Sequence, residues 1–95
     1  MPEVNFSVLW PDGTREACYS PSRVIKDFLA PGAAYGLADF LARSRIALGM
    51  ASERVRARHG MPCSLALGQL ARIEATAARF AALPEAHVIV EEFTE

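Results

Sequence analysis

The chain has 95 residues, ten basic and eleven acidic, with a formal net charge of −1, 52% hydrophobic residues and two cysteines. Surface scaling gives roughly 5,400 Å² folded against roughly 15,000 Å² unfolded, so about 64% of the surface is buried and a single domain over residues 1–95 forms without staples. The near-neutral balance argues against a general polyanion binder and the apolar fraction against disorder, while the charges interrupting every long apolar stretch argue against a membrane span.

Val4, Phe6, Val8 and Trp10 alternate with Asn5, Ser7 and Leu9, the period-two pattern of a half-buried strand over residues 3–10. Pro11-Asp12-Gly13 predicts a tight turn, with Pro presetting φ and Gly supplying the left-handed residue. A three-residue loop sets Phe6 opposite Cys18 and points Cys18 into the core, whereas a two-residue loop turns it outward. The second strand, Thr14 to Tyr19, ends at Ser20-Pro21-Ser22, where either serine can cap a short helix carrying Val24, Ile25, Phe28 and Leu29. Pro31-Gly32 breaks that run, and residues 30–36 read as a loop crossing the domain.

From Leu37 to His59 the apolar spacing predicts the longest element, a helix with Phe40, Leu41, Ala47, Leu48, Ala51 and Val55 inward and Gly60 as its stop. Asp39 and Arg43 form an i,i+4 pair, and Gly49 costs about 1 kcal/mol relative to Ala unless a close neighbour or a bend accounts for it. A second helix, Ser64 to Leu83 with Pro84 as its stop, has Ala66, Leu70, Ile73, Ala77 and Phe80 inward and folds back antiparallel. His87 to Phe93 is a last strand whose centre is apolar on both faces, the mark of an inner position. The order β-β-α-α-β predicts an α+β fold of two layers, a three-stranded sheet covered by an antiparallel helical hairpin.

Cys63, in Gly60-Met61-Pro62-Cys63-Ser64, sits at a predicted helix start, where free N–H groups favour thiolate, with His59 four residues upstream. The plainer reading is a small apolar residue under the helix–helix loop with Ser64 as cap, since free Cys is among the most buried residue types. Cys18 could join Cys63 if the second strand lies beneath the hairpin. His59 and His87 would complete a Cys₂His₂ set by count, but no zinc spacing is present, so neither a metal nor another cofactor is expected. Five arginines, including Arg54, Arg56 and Arg58, lie between Arg43 and His59 with Glu53 alone against them, either an anion or nucleic-acid face, with His59, or a plain solvated helix face. The Tyr19, Ser20, Ser22 and Tyr35 hydroxyls cluster around the loop region, although Ser-Pro-Ser is ordinarily turn chemistry. Glu85, Glu91, Glu92 and Glu95 carry the opposite charge and could pair with the arginines within or between chains. Nucleic-acid binding is disfavoured, because no aromatic residues interleave with the arginines. No Gly-rich phosphate loop, Gly-x-Ser-x-Gly elbow or His-Glu-x-x-His is present.

The stretches Trp10-Pro11-Asp12-Gly13, Cys18-Tyr19-Ser20-Pro21-Ser22, Ala51-Ser52-Glu53-Arg54-Val55-Arg56-Ala57, Cys63-Ser64 and Gln69-Leu70-Ala71 with Ile73-Glu74 resemble a family of small bacterial proteins of the nitrogen-starvation response. The resemblance runs from about Pro2 to Val90, with Ala51 to Ala57 its most specific part. It implies association with gene clusters that encode a nitrilase, a radical-type iron–sulfur enzyme, an acetyltransferase and a flavoprotein, and it brings no catalytic residue with it. Two readings follow. The first is a non-catalytic cytoplasmic accessory protein that docks on an enzyme of the nitrilase-linked pathway, with homodimerisation through a sheet edge or the long helix as an addition. The second is a small enzyme or sulfur carrier using Cys63, with Cys18.

Overall fold

A computed structural model describes residues 3–83 and 85–95. Strands β1 (Val4–Leu9) and β2 (Arg15–Ser20) form the first hairpin. Its loop is the three-residue one: Trp10 N–H donates to Thr14 C=O at 2.8 Å, Gly13 N–H donates to Trp10 C=O at 2.9 Å, and Gly13 takes φ +87°. Phe6 therefore stands opposite Cys18, and Cys18 is 2% exposed in the core. Asp12 braces the turn by accepting from the Thr14 N–H and hydroxyl, and these bonds hold its carboxyl below the usual range.

The segment after β2 departs from expectation in one respect. Helix α1 (Ile25–Phe28) is the expected short turn, but residues 34–36 are a strand rather than part of a loop. This strand, β3 (Ala34–Gly36), pairs antiparallel with β4 (His87–Thr94). The sheet thus has four strands, not three, in the order β2-β1-β4-β3. Three residues are too short to show a period, and the pairing is instead secured by backbone groups flanking them. Gly32 N–H donates to Val90 C=O at 2.7 Å and Val90 N–H donates to Ala33 C=O at 2.9 Å. β4 takes the inner position predicted for it. A register shift between Ser7 and Val8 leaves Glu91 as an extra residue on β4, and its carboxylate meets Arg15 at 3.0 Å across β1.

Helix α2 spans Leu37–His59 as read, with Phe40, Ala47, Leu48 and Ala51 buried. Gly60 ends it with φ +79°, its N–H donating to Arg56 C=O at 2.7 Å. Helix α3 (Ser64–Ala78) stops short of Leu83. Tight turns replace its last stretch, with Phe80 N–H donating to Ala77 C=O and Leu83 N–H to Phe80 C=O. They set Phe80 against Trp10 at 6.1 Å between ring centroids, while Trp10 meets Phe40 edge-on at 5.6 Å. Pro84, the expected stop, lies outside the described residues. The two helices run antiparallel, tied by Arg45 to Glu74 at 3.0 Å near one end and by Cys63 N–H to Ser52 Oγ at 3.2 Å near the other. α2 and α3 cover one face of the sheet, with α3 on the β2 side. The opposite face, where Asn5, Ala17 and Glu92 are exposed, is open to solvent. Total accessible surface is 5333 Å², matching the scaling expectation.

Candidate functional site

The candidate residues separate into a gathered group and others that stand apart from it. The end of β2, the C-terminal half of α2 and the start of α3 converge, which brings Tyr19, Ser20, Ser22, Arg54 and Cys63 to one end of the domain. Arg54 Nη1 donates to Ser22 Oγ at 2.9 Å, fastening α2 to the Ser20-Pro21-Ser22 turn. Ser20 Oγ donates to Ser22 C=O at 2.8 Å, and Ser22 Oγ also accepts from Val24 N–H at 3.3 Å. Both serines are buried, so their hydroxyls hold the turn and do not face a ligand. They do not cap α1, whose N-cap is Val24 without a side-chain bond.

Cys63, not Ser64, is the N-cap of α3, in extended conformation and half-buried. Its C=O accepts from Leu67 N–H at 3.1 Å, and its N–H is taken by Ser52. The Tyr19 phenol beside it is pushed up, first by burial and then by the nearby Cys63 and Glu3. Cys18 belongs elsewhere: burial, reinforced by Glu16, pushes its thiol up to about 12. Both thiols are free, without a disulfide between them.

Arg56, Arg58 and His59 occupy the last turn of α2 and are exposed, where they suit the negative end of the helix dipole. Arg56 reaches Glu53 at 3.3 Å, and Arg58 has no carboxylate partner among the described residues. Met61, 71% exposed, and Leu65, 65% exposed, flank them on the loop and the first turn of α3. Tyr35 stands apart, on β3. Its hydroxyl accepts from Ala30 N–H at 2.8 Å and its ring lies 4.9 Å beneath the Arg43 guanidinium, so it fixes the 30–36 segment.

The acidic C-terminal stretch does not meet the α2 arginines. Glu91 pairs with Arg15, and Glu95 with Arg23 and Lys26, because antiparallel pairing brings the end of β4 beside β1 and the segment leading into α1. Hydrogen bonds from Lys26 and Arg23 hold the Glu95 carboxyl below its ordinary value. Among the described residues no three His, Cys, Asp or Glu side chains gather into a metal-binding group. His87 Nδ1 lies 2.7 Å from Glu85 C=O, at the start of β4. No helix among the described residues is long and apolar enough to cross a membrane.

One polar cluster escaped the sequence. Gln69 is 1% exposed, and its Oε1 accepts from Tyr19 N–H at 3.1 Å and Arg72 Nη2 at 3.2 Å. Its Nε2 donates to Glu16 Oε2 at 3.3 Å, and Glu16 Oε1 accepts from Trp10 Nε1 at 2.9 Å. The chain Trp10–Glu16–Gln69–Tyr19 seals the outer edge of β2 with α3. A lone Gln at an inward helix position, four residues before Ile73, was the available signal. The other large feature is a cavity of about 410 Å³ between α2 and α3, walled by Leu37, Leu41, Ala77, Ala78 and Leu83 and bounded by the Arg45–Glu74 pair.

A four-stranded antiparallel sheet with a helical hairpin on one face, its polar residues used mostly as ties between elements, defines a small two-layer α+β protein. The family model described as "Nitrogen starvation-induced protein NitG" matches residues 5–93, and the chain belongs to that family. No curated protein and no solved structure matches it.

Proposed function

We propose that this NitG-family chain is a non-catalytic accessory protein of the nitrogen-starvation response. It docks on an enzyme of the nitrilase-linked pathway through the end of the domain where α2 finishes and α3 begins. One observation carries the reading: Met61 and Leu65 stand exposed beside Arg56, Arg58 and His59, and methionine and arginine around an apolar centre are the composition of an interaction surface. The partner surface is then acidic at its rim and apolar at its centre. Arg54, Ser20 and Ser22 hold the neighbouring backbone in place, so the surface is preorganised. The protein works in the cytoplasm, beside those enzymes.

The test is direct binding of the purified chain to the nitrilase, the radical-type iron–sulfur enzyme, the acetyltransferase and the flavoprotein, each at low and high salt. One of them binds, and Arg56→Glu with Arg58→Glu weakens it at least tenfold. Failure of all four to bind, or binding indifferent to the double variant, overturns the proposal.

The second reading, thiol chemistry at Cys63, is favoured by its half-buried N-cap position next to the Tyr19 phenol. Cys18 takes no part in it, because its thiol is buried and held protonated. Rapid alkylation of Cys63 in the folded protein, with a midpoint well below ~8.5, is the result that would favour this reading over docking.

A further inference from the structure

The sheet ends on two edges of unequal length. At one edge β3 has three residues and offers little backbone to a further strand. At the other β2 has six and no proline, long enough for its unpaired side to template pairing with another chain. The hairpin register turns the backbone groups of Glu16 and Cys18 toward Val8 and Phe6, and those of Arg15, Ala17 and Tyr19 away from the sheet. Of these three outward N–H groups, the one at Tyr19 alone has a partner among the described residues. That partner is a side chain, Gln69, whose Oε1 accepts at 3.1 Å.

We propose that Gln69 blocks strand addition at β2, its carboxamide standing where a neighbouring strand's peptide group would stand. A carboxamide offers the same acceptor and donor as a peptide unit, so it satisfies the edge as a strand would but cannot extend the ladder. The block is held from behind. Gln69 is 1% exposed, and α3 is seated on the core one turn to either side of it by Ala66 and Ile73, both fully buried. Arg72 Nη2 donates to the same Oε1 at 3.2 Å, and Nε2 donates to Glu16 Oε2 at 3.3 Å. An added strand would lie about 4.8 Å from β2, where the carboxamide is. It can enter only by expelling a buried side chain and leaving Glu16 and Arg72 without that partner. The segment shut out is an extended one, above all β2 of a second copy, which would pair antiparallel about Ala17 with Arg15 opposite Tyr19. None of this uses the Arg56–Leu65 end, so the block and the docking surface stand or fall independently.

Gln69→Met removes the carboxamide while keeping the length and fit of the side chain, and sedimentation velocity from low micromolar to millimolar concentration reads the result. At the upper end the variant should reach at least twice the wild-type mass. Adding Ala17→Pro, which deletes an outward N–H and places proline on the edge, should return it to the wild-type mass. Gln69→Ala replaces the methionine variant if that chain does not fold. In the wild-type chain the Tyr19 amide should exchange with solvent at least about tenfold more slowly than that of Ala17. A folded Gln69 variant that keeps the wild-type mass at every concentration overturns the proposal. So does association that Ala17→Pro does not reverse, or a wild-type Tyr19 amide that exchanges as fast as that of Ala17.

Discussion

The two sides of the helical hairpin both carry large apolar residues and differ in what covers them and in charge, which only the outer side bears, at Asp39, Arg45 and Glu53 among others. On the inner side Ile73, Ala77, Phe40 and Leu48 bury against the sheet, and the one large polar group, Gln69, has its carbonyl and amide both bonded. On the outer side residues of the same character, Ile46, Met50 and Leu67, meet solvent. Amphipathic spacing locates the inner stripe correctly and says nothing of the outer one, since it measures contrast and α3 has little.

Substitutions that probe the inner side should be the costliest. Ile73→Ala removes a fully buried side chain and should cost about 2–5 kcal/mol in urea unfolding. A loss below about 1 kcal/mol would mean that α3 is not seated on the core. Gln69→Ala orphans the Tyr19 N–H and the second oxygen of Glu16, for about 1–3 kcal/mol. Retained stability there would show water replacing the amide at the β2 edge.

Cys18 gives the inner side a pH signature. Its folded thiol is raised from 9.0 to about 12, so the contribution is whole below pH 9. It is lost at about 1.4 kcal/mol per pH unit as pH climbs toward 12, because only the unfolded chain then releases the proton. Cys18→Ala should flatten that slope in unfolding curves recorded across the alkaline range, and an unchanged slope would place the thiol in water.

The outer side should respond weakly, and in one case favourably. An added methyl at Gly49 meets no atom within 4 Å, so neither a close helix contact nor a crowded backbone explains the glycine. Gly49→Ala should raise stability by about 0.5–1 kcal/mol in the same assay. Leu67→Gln should shift the stability of the single chain by no more than about 0.5 kcal/mol. A larger loss would make Leu67 a core residue.

Much of this architecture was written in local signals. Pro11-Asp12-Gly13 marks the hairpin turn and Gly60 the end of α2, while the choice between a two- and a three-residue loop, and with it the burial of Cys18, is settled by the Trp10–Thr14 pairing. Elements held by distant backbone were not legible: β3 exists because Gly32 and Ala33 bond to Val90, a partner far along the chain. Helical spacing continues from Ala77 to Phe80 although the chain turns there to bring Phe80 onto Trp10, so spacing alone carries α3 past its true end at Ala78. At the candidate site, arginines and hydroxyls were recognised by type, but their roles depended on partners. Ser22 and Arg54 became a tie, Tyr35 a brace for β3, and Glu91 and Glu95 met Arg15, Arg23 and Lys26 instead of the α2 face. Gln69, Met61 and Leu65 carried meaning only once their neighbours were in place.

The central claim is the docking proposed for the end of the domain where α2 finishes and α3 begins. Direct binding of the purified chain to the four enzymes, at low and high salt, tests it most directly, since a basic rim makes association depend on ionic strength. One enzyme should bind the wild-type chain and lose at least tenfold in affinity for the chain carrying Arg56→Glu and Arg58→Glu. Binding by none of them, or binding indifferent to the double variant, would contradict it.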